Sequence, residues 1–382
     1  MKMGILLSVV ALALAACSSQ TEESQPVAIL DGGDVIVLDS DGSNRVVITE
    51  EQNDSYFQPT WSPDGDLLAF SSNDPDPTLH VGLTDGSDLH ATTTGSFPFY
   101  FSWSSDNDLA FLSNGASGLA LEITSLTDGT LASPRLIDSG QPLYYSWNPE
   151  GTMLATHIGT DRLELNDLGS TQPLGPRPGM FQSPQWTEGG IAAIEQGLRD
   201  QTLSIIGLDG EATAVATVLG PATFVATNDG TNIAIQSVQA DSGAVNASFQ
   251  VLPTIPSNRL VVIDTETGEH TTVTQDPVLA YFWDPAGDRL LVFDIVPGPQ
   301  ARWSIWSEDG LQEMVRFDPE PGFVGAFIPF FDQYAQSVSL WAPDGSAFAF
   351  PGGIDGESGI WVQSIDGDLD RISDGTWVAW SP

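Results

Sequence analysis

The chain has 382 residues, 41% of them hydrophobic, which is typical of a globular protein with a large buried core. Its 51 acidic residues against 11 basic ones give a formal net charge of −40. Because nucleic-acid binding depends on Lys and Arg displacing counterions, this charge excludes DNA and RNA as partners. The 38 Gly and 26 Pro indicate many turns between short strands, and they argue against a Rossmann fold or a helical bundle.

The N-terminus has the pattern of an export signal. Lys2 precedes an apolar run from Ile5 to Ala16 that is too short to span a bilayer as a helix, so residues 1–16 are predicted to be a cleaved signal peptide. The stretch 14–17, Leu-Ala-Ala-Cys, resembles the lipobox of bacterial lipoproteins. The resemblance implies that the thiol of Cys17 is acylated and that the lipid holds the chain on a membrane. The alternative is an ordinary secretory peptide with a coincidental cysteine.

Cys17 is the only cysteine, so the chain cannot form an intrachain disulfide. Residues 17–26 carry no large apolar side chain after Cys17 and are predicted to be the lipidated cysteine and a flexible tether. The expected location is the extracytoplasmic cell envelope, either in the periplasm or on the cell surface.

The rest of the chain is repetitive. Residues 61–70, Trp-Ser-Pro-Asp-Gly-Asp-Leu-Leu-Ala-Phe, return as residues 341–350, and weaker copies begin at Trp103, Trp147, Trp186 and Trp283. A degenerate copy has Ala226 in the tryptophan position, and a last one begins at Trp380. Most of the intervals are 39 to 44 residues, which is the length of one four-stranded propeller blade.

Each repeat contains two turn signals. Pro-Asp-Gly turns follow the tryptophans in the two full copies, and a second Asp-Gly follows later in the unit, as at Asp85-Gly86 and Asp128-Gly129. Asp bonds its own backbone and Gly accepts positive φ, so each signal predicts a hairpin. Two hairpins make four strands, and radial stacking of neighbouring sheets completes the core.

These units resemble the TolB-like, WD-repeat-like β-propeller repeat over residues 27–382. The resemblance implies an all-β fold, a single propeller of four-stranded blades, and protein partners in the envelope. Departures are the missing tryptophan at Ala226 and the contracted turn after Trp186.

The chain ends predict how the ring closes. The last residues supply one innermost strand. The segments Val27–Leu30, Asp34–Asp39 and Asn44–Thr49 supply the other three strands of a blade that has no innermost strand of its own. Joining them makes a shared blade and removes exposed sheet edges. We therefore expect eight blades, with seven as the alternative, and a monomer.

Two repeat intervals are longer than the others. The insertion between Val238 and Ser257 is weakly patterned and is predicted to be a surface loop. The insertion at residues 318–334 holds five aromatic residues: Phe323, Phe327, Phe330, Phe331 and Tyr334. These side chains would form a contact surface for a peptide, glycan or apolar ligand, or they would fold back to plug the central channel.

Further aromatic residues lie just before the repeat tryptophans, on the strands predicted to line the channel. Tyr100, Tyr144 and Tyr281 are the candidate ligand-binding residues among them. The alternative is that such residues pack between blades.

The residues that would indicate a hydrolase or a metal enzyme are not in the required patterns. The histidines, which are His80, His90, His157 and His270, show no metal-ligand spacing, and no serine-hydrolase or phosphate-loop motif occurs. No catalytic or metal-ligating residue is therefore assigned, and no cofactor is expected. The Asp-rich turns, such as residues 39–44, resemble calcium loops, but the EF-hand spacing is not met and the hairpin-turn interpretation is favoured.

The acidic surface suits a protein that stays hydrated in concentrated salt, which is compatible with a saline habitat. The leading hypothesis is a lipid-anchored, non-enzymatic scaffold that binds a protein or another ligand of the envelope. The second hypothesis is a glycan hydrolase or lyase that uses carboxylates facing the channel.

Overall fold

The structure, a computed structural model, describes residues 25–49, 55–73, 75–175, 177–196, 201–238 and 252–382. The predicted signal peptide, Cys17 and nearly all of the predicted tether lie outside the described residues. The same is true of residues 239–251, which make up most of the first insertion. No helix within the described ranges is both long enough and apolar enough to cross a membrane.

Short strands follow one another along the whole described chain. The first twelve are β1 Pro26–Asp31, β2 Asp34–Asp39, β3 Val46–Val47, β4 Tyr56–Trp61, β5 Leu67–Ser72, β6 Thr78–Leu83, β7 Leu89–Thr93, β8 Phe99–Trp103, β9 Asp108–Gly115, β10 Gly118–Thr127, β11 Thr130–Leu131 and β12 Arg135–Gly140. The next twelve are β13 Leu143–Trp147, β14 Leu154–Ile158, β15 Arg162–Asn166, β16 Thr171–Pro173, β17 Gln185–Thr187, β18 Gly190–Gln196, β19 Gln201–Ile206, β20 Ala212–Val218, β21 Ala222–Ala226, β22 Asn232–Ser237, β23 Arg259–Asp264 and β24 His270–Thr274.

The last part of the chain combines strands with a helical segment. Its strands are β25 Ala280–Trp283, β26 Leu290–Ile295, β27 Ala301–Ser307, β28 Gly310–Pro319, β29 Ala347–Ile354, β30 Glu357–Ser364, β31 Leu369–Ser373 and β32 Trp377–Trp380. Between β28 and β29 lie a π-helical turn Phe323–Phe327, a 3₁₀ turn Ile328–Phe330 and the short helix α1 Phe331–Tyr334. We call residues 321–337 the plug.

The strands pair antiparallel in chain order, which is the pattern of consecutive hairpins. Most of the sheets have four strands, as in β4-β5-β6-β7 and β13-β14-β15-β16. The sheet formed by β8, β9, β10 and β11 has a fifth strand, β12, which pairs with β10. The largest sheet holds two successive units, β25–β28 and β29–β31, which are linked where β28 pairs with β29. The prediction of an all-β fold of four-stranded antiparallel sheets is confirmed.

The Asp-Gly turns form as the repeat predicts. In the first complete copy, Gly65 has φ of +75°, and the Asp64 carboxylate accepts hydrogen bonds from the Ser62 hydroxyl and the Asp66 amide at 2.6 and 3.1 Å. The side chain thus satisfies turn groups that the strands leave unpaired, and the left-handed backbone requires glycine.

Six of the repeat tryptophans join one four-stranded unit to its neighbour. Their indole Nε1 donates to a backbone carbonyl on the innermost strand of the preceding unit, at 3.0 to 3.2 Å, whereas the buried Nε1 of Trp380 has no hydrogen-bond partner among the described residues. The pairs are Trp61 to Ala379, Trp103 to Thr60, Trp147 to Ser102, Trp186 to Ser146, Trp283 to Val225 and Trp341 to Phe282. These six bonds satisfy indole N–H groups that packing removes from water, and they fix the position of one unit against the next.

The degenerate repeat has another link in the same place. Ala226 has no indole, but the buried Gln185 on the preceding sheet reaches across. Its amide donates to the Phe224 carbonyl at 2.6 Å and accepts from the Ala226 amide at 2.8 Å. A two-point amide bridge therefore replaces the single indole bond.

The two ends of the described chain meet. Strand β32 pairs antiparallel with β1, from Val27 opposite Trp380 to Leu30 opposite Trp377. The innermost strands contact one another from sheet to sheet, and the largest cluster of buried apolar side chains joins them to the plug. This radial arrangement of antiparallel sheets around a filled centre is a β-propeller.

Candidate functional site

The plug lies in the centre of the ring. Phe327 packs against Trp377 and Phe282, with ring centroids 5.4 and 5.9 Å apart, and Phe331 packs against Tyr281 at 4.8 Å. These partners lie on β25 and on the last strand, β32. The aromatic insertion therefore joins innermost strands that are distant in sequence.

Hydrogen bonds fix the C-terminal part of the plug. Gln333 donates its amide N–H to the Tyr145 carbonyl at 2.7 Å and accepts from the Tyr145 amide at 3.1 Å. The Tyr100 hydroxyl donates to the Gln333 carbonyl at 3.0 Å, and Gln58 donates to the Tyr334 hydroxyl at 2.6 Å. Three successive sheets thus hold one helical turn.

The insertion was expected either to form an exposed contact surface or to fold back and plug the central channel. Most of its aromatic residues lie as the second alternative predicts. Phe323, Phe327, Phe331 and Tyr334 are buried, whereas Phe330 is 47% exposed. Tyr281 is also fully buried, and its hydroxyl donates to the Thr223 carbonyl at 2.6 Å. With Tyr100, which is 3% exposed, six of the eight candidate ligand-binding residues are therefore buried.

One cavity of about 530 Å³ opens beside the plug. It brings together four candidate residues, Tyr100, Tyr144, Phe330 and Tyr334. The other lining residues are Gln58, Phe97, Phe99, Leu112, Leu119, Gln141, Pro142, Leu143, Phe181, Gly325, Ala326 and Gln333. The candidate residues Phe323, Phe327, Phe331 and Tyr281 do not line it. A volume of this size suits a small ligand.

Two residues of the cavity wall have an unusual backbone. Gln58 and Tyr100 adopt positive φ of 55° and 47°, and each lies where the pairing register of its strand shifts. The Tyr100 amide donates to the Gln58 side-chain oxygen at 2.9 Å. Left-handed backbone in a bulky residue costs on the order of 1–3 kcal/mol and occurs most often at functional sites.

Sequence reasoning missed Gln58, Phe97, Phe181, Gln141 and Gln333. Phe97 lies two residues before the predicted Phe-Tyr-Phe cluster at 99–101, so an aromatic count over a wider window would have included it. The glutamines could not be recognised from the sequence, because an amide side chain becomes part of a site only through its hydrogen-bond partners. The partner of Gln58 is Tyr334, which is 276 residues away.

The tyrosines of the cavity are neutral phenols. Burial raises the pKa of Tyr100, Tyr144 and Tyr334 well above the ordinary value of about 10, and the negative charge of Asp332 adds to the effect at Tyr144 and Tyr100. These side chains therefore offer ring faces and hydroxyl groups, but no phenolate base.

Asp332 is the titratable group at the heart of the plug. Its carboxylate is buried and accepts a hydrogen bond from the Ser183 amide at 3.3 Å. Burial raises its pKa from an ordinary 3.8 to about 6. The ion pairs of the described residues all involve other carboxylates.

The Asp-rich turns use their carboxylates internally. In the turn that resembles a calcium loop, Asp41 accepts from the Ser43 amide at 2.8 Å, and Asp39 accepts from the Asn44 side chain at 2.6 Å. Within the described ranges, no group of three or more His, Cys, Asp or Glu side chains is arranged to hold a metal ion.

The fold is shared with solved structures of very different sequence. A crystal structure described as the eukaryotic initiation factor matches with a TM-score of 0.59 and 10% identity, over 94% of this chain and 99% of that one. TolB from Acinetobacter baumannii matches with a TM-score of 0.41 and 17% identity, over 76% of this chain and 63% of that one. A putative 6-phosphogluconolactonase from Bacteroides uniformis matches with 0.47 and 11%, over 94% and 100%.

At 10% identity, the match with a TM-score of 0.59 shows a common fold and nothing finer. No protein-family model matches the sequence, and no curated protein sequence matches it.

Proposed function

We propose that this chain is a lipid-anchored, extracytoplasmic β-propeller that acts as a non-enzymatic binding scaffold in the cell envelope. The cavity between the plug and the strands around Tyr100 and Tyr144 is its binding site. A small ligand, or a side chain of an envelope protein, enters this cavity and packs against Phe330 and the tyrosine rings.

The lining of the cavity carries the proposal. Its residues are aromatic, aliphatic or amide, and none is Asp, Glu, His, Lys, Ser or Cys. General acid–base or nucleophilic catalysis needs a titratable or nucleophilic group within hydrogen-bond reach of the substrate. The tyrosines do not supply one near neutral pH, because burial raises the pKa of each of the three. Such a wall is suited to binding.

Eight blades with a shared first blade are part of the proposal. The pairing of β1 with β32 supports the closure. The division of the largest sheet into β25–β28 and β29–β31 supports the number, since the segment before β29 bridges to it at Trp341 and Phe348. The TolB-like kinship rests on the repeat sequence.

The lipid anchor rests on the sequence around Cys17. We expect the mature protein to take up a radiolabelled fatty acid and to sediment with membranes, and Cys17→Ser to lose both properties. Ser18→Ala, a neighbouring change of similar size, is the control and should behave as the wild type. A Cys17→Ser protein that stays on the membrane and keeps its label would overturn the anchor.

The binding site is tested by ligand-induced thermal stabilisation of the domain from Val27 to Pro382 with envelope peptides, glycans and small aromatic compounds. A ligand at a hundredfold excess over its dissociation constant adds about 2.7 kcal/mol to the free energy of unfolding. Phe330→Leu and Tyr144→Leu should weaken the effect. Trp306→Leu, on a half-buried aromatic residue outside the cavity, should leave it unchanged.

The same panel tests the enzymatic alternative. If a glycan is cleaved during incubation and Asp332→Asn abolishes the cleavage, the chain is a hydrolase or lyase and the scaffold proposal is wrong. Ligand stabilisation that is equal in all three leucine variants would place the binding site elsewhere on the propeller.

A further inference from the structure

The walls of the cavity differ from the rest of the molecule in charge. The chain carries 51 acidic residues, yet the cavity lining contains no charged side chain. A ligand there meets uncharged aromatic, aliphatic and amide side chains inside a protein of formal net charge −40. The field of the whole molecule raises the local concentration of cations and lowers that of anions.

The aromatic content of the wall is high. Phe97, Phe99, Tyr100, Tyr144, Phe181, Phe330 and Tyr334 all line the cavity. The faces of such rings are electronegative and attract an organic cation within about 6 Å of the ring centre. Tyr100 also donates its hydroxyl hydrogen to the Gln333 carbonyl, which increases the electron density of its ring.

Two of the three amide groups of the wall are already used. Gln58 bonds Tyr334 with its N–H and Tyr100 with its oxygen, and Gln333 bonds the Tyr145 backbone at both ends. Gln141, at the exposed end of the wall, is the third amide of the lining. A sugar would bury several hydroxyl groups, each of which needs a partner, and two of the three amides of the wall already have partners within the protein. A ligand recognised through ring faces fits this wall better.

A buried negative charge lies next to the wall. Asp332 directly precedes the lining residues Gln333 and Tyr334, and no cation of the described residues lies within ion-pair distance of it. Its field reaches the hydroxyls of Tyr144 and Tyr100, where it adds to the effect of burial. A cation in the cavity would compensate this charge.

We propose that the cavity binds an organic cation of the quaternary or tertiary ammonium class, held by the faces of Tyr100, Tyr144, Phe330 and Tyr334. This inference rests on the proposed function, since it names the chemistry of the ligand for the same site. Ring faces replace the hydration of an alkylated ammonium group at little cost, because such a group has few or no N–H donors to satisfy.

The test uses three probes of similar shape: benzyltrimethylammonium, its neutral carbon analogue neopentylbenzene, and benzylphosphonate. Dissociation constants are measured by ligand-observed NMR at about 0.15 M salt and again at about 1 M, where the Debye length falls from about 8 to about 3 Å. We expect the ammonium probe to bind roughly 2- to 30-fold more tightly than the neutral one. The phosphonate should be the weakest of the three.

The variants locate the binding. Phe330→Leu, at an exposed position, and Tyr144→Leu should each weaken the ammonium probe several-fold, while Trp306→Leu should not. Asp332→Asn should reduce the preference for the ammonium over the neutral probe. A circular-dichroism melt of each variant separates loss of binding from loss of folding.

Three outcomes would overturn the inference. Equal or tighter binding of neopentylbenzene would leave the binding site in place but refute its preference for a cation. Ammonium binding that is the same in all variants and disappears at high salt would be attraction to the acidic surface in general. If none of the probes binds the folded protein, the cation inference is refuted, and the proposed binding site is refuted as well only if the stabilisation panel of peptides, glycans and aromatic compounds also gives no shift.

Discussion

Gln185 shows how a single side chain can compensate for a missing repeat residue. At six other junctions an indole of the later unit bonds the earlier one, but at Ala226 the side chain that reaches across belongs to the earlier unit. The interaction replaces one hydrogen bond with two. The bond to Phe224 is buried and the bond from Ala226 is partly buried, and unpaired backbone groups in such places are costly.

Gln185→Ala should therefore destabilise the protein by about 1–3 kcal/mol, because it leaves the Ala226 amide and the Phe224 carbonyl without partners. Equilibrium urea unfolding measures the loss. Gln312→Ala, at an exposed position on β28, is the matched control and should change stability by less than about 0.5 kcal/mol. Equal stability of the two variants would show that solvent or rearrangement satisfies the junction.

Asp332 gives the stability a pH dependence of defined sign. Its pKa is about 6 in the folded state against an ordinary 3.8, so between these values the folded protein holds a proton that the unfolded chain has released. The contribution to stability is complete below pH 3.8 and is lost as the pH rises through 6. The size of the loss is on the order of 3 kcal/mol.

Asp332→Asn removes this contribution, so its stability relative to the wild type should improve by about 3 kcal/mol between about pH 4 and pH 8. The difference between the two proteins isolates Asp332. His80 and His157 act in the opposite direction in both proteins, since burial lowers their pKa from 6.5 to about 4. A constant difference across this range would show that Asp332 is solvated.

The plug is the element that the sequence described least well. Adjacent residues have opposite environments: Phe330 is 47% exposed and Phe331 is 4% exposed. A π-helical turn, a 3₁₀ turn and one turn of α-helix succeed one another within residues 323–334, so no helical period assigns the buried face. The aromatic content indicated a special segment, but its packing depended on strands far away in sequence.

The strands were predictable for a physical reason. A tryptophan, an Asp-Gly turn and an apolar run recur at nearly constant spacing, and each is a local signal for a hairpin. The strand pairing that joins the chain ends was also expected from the missing strands. The cavity could not be predicted in the same way, because its walls combine β4, β8, β13 and the plug.

Two phenylalanines of the plug form a matched pair. Phe327 is 1% exposed and contacts Phe282 and Trp377. Phe327→Ala should therefore destabilise the protein by about 3–5 kcal/mol, because removing the ring leaves an empty space in the packed centre of the propeller. Phe330→Ala should cost less than about 0.5 kcal/mol. The two values come from urea unfolding of the same domain, and similar losses would contradict the observed position of the plug.

For the whole molecule, the dominant physical quantity is the formal charge of −40. Self-repulsion opposes the compact state, and salt screens it because the Debye length falls from about 10 Å at 0.1 M to about 3 Å at 1 M. The melting temperature should therefore rise steadily with sodium chloride. Calcium chloride exchanged for sodium chloride at constant ionic strength is the control and should add nothing further. An additional shift with calcium would revive the calcium interpretation of the Asp-rich turns.

The position of the plug in the chain has a consequence for folding. Its contacts reach from Gln58 to Tyr334, and the pairing of β1 with β32 spans nearly the whole described chain. Contacts of such long range form slowly, because a large loop must close before they stabilise anything. The early sheets can form first, but the cavity has no complete wall until the plug is seated. A compound that fills the cavity therefore binds only molecules in which the propeller is closed and the plug is in place. During refolding, the fluorescence or NMR signal of the bound compound would report the fraction of such molecules.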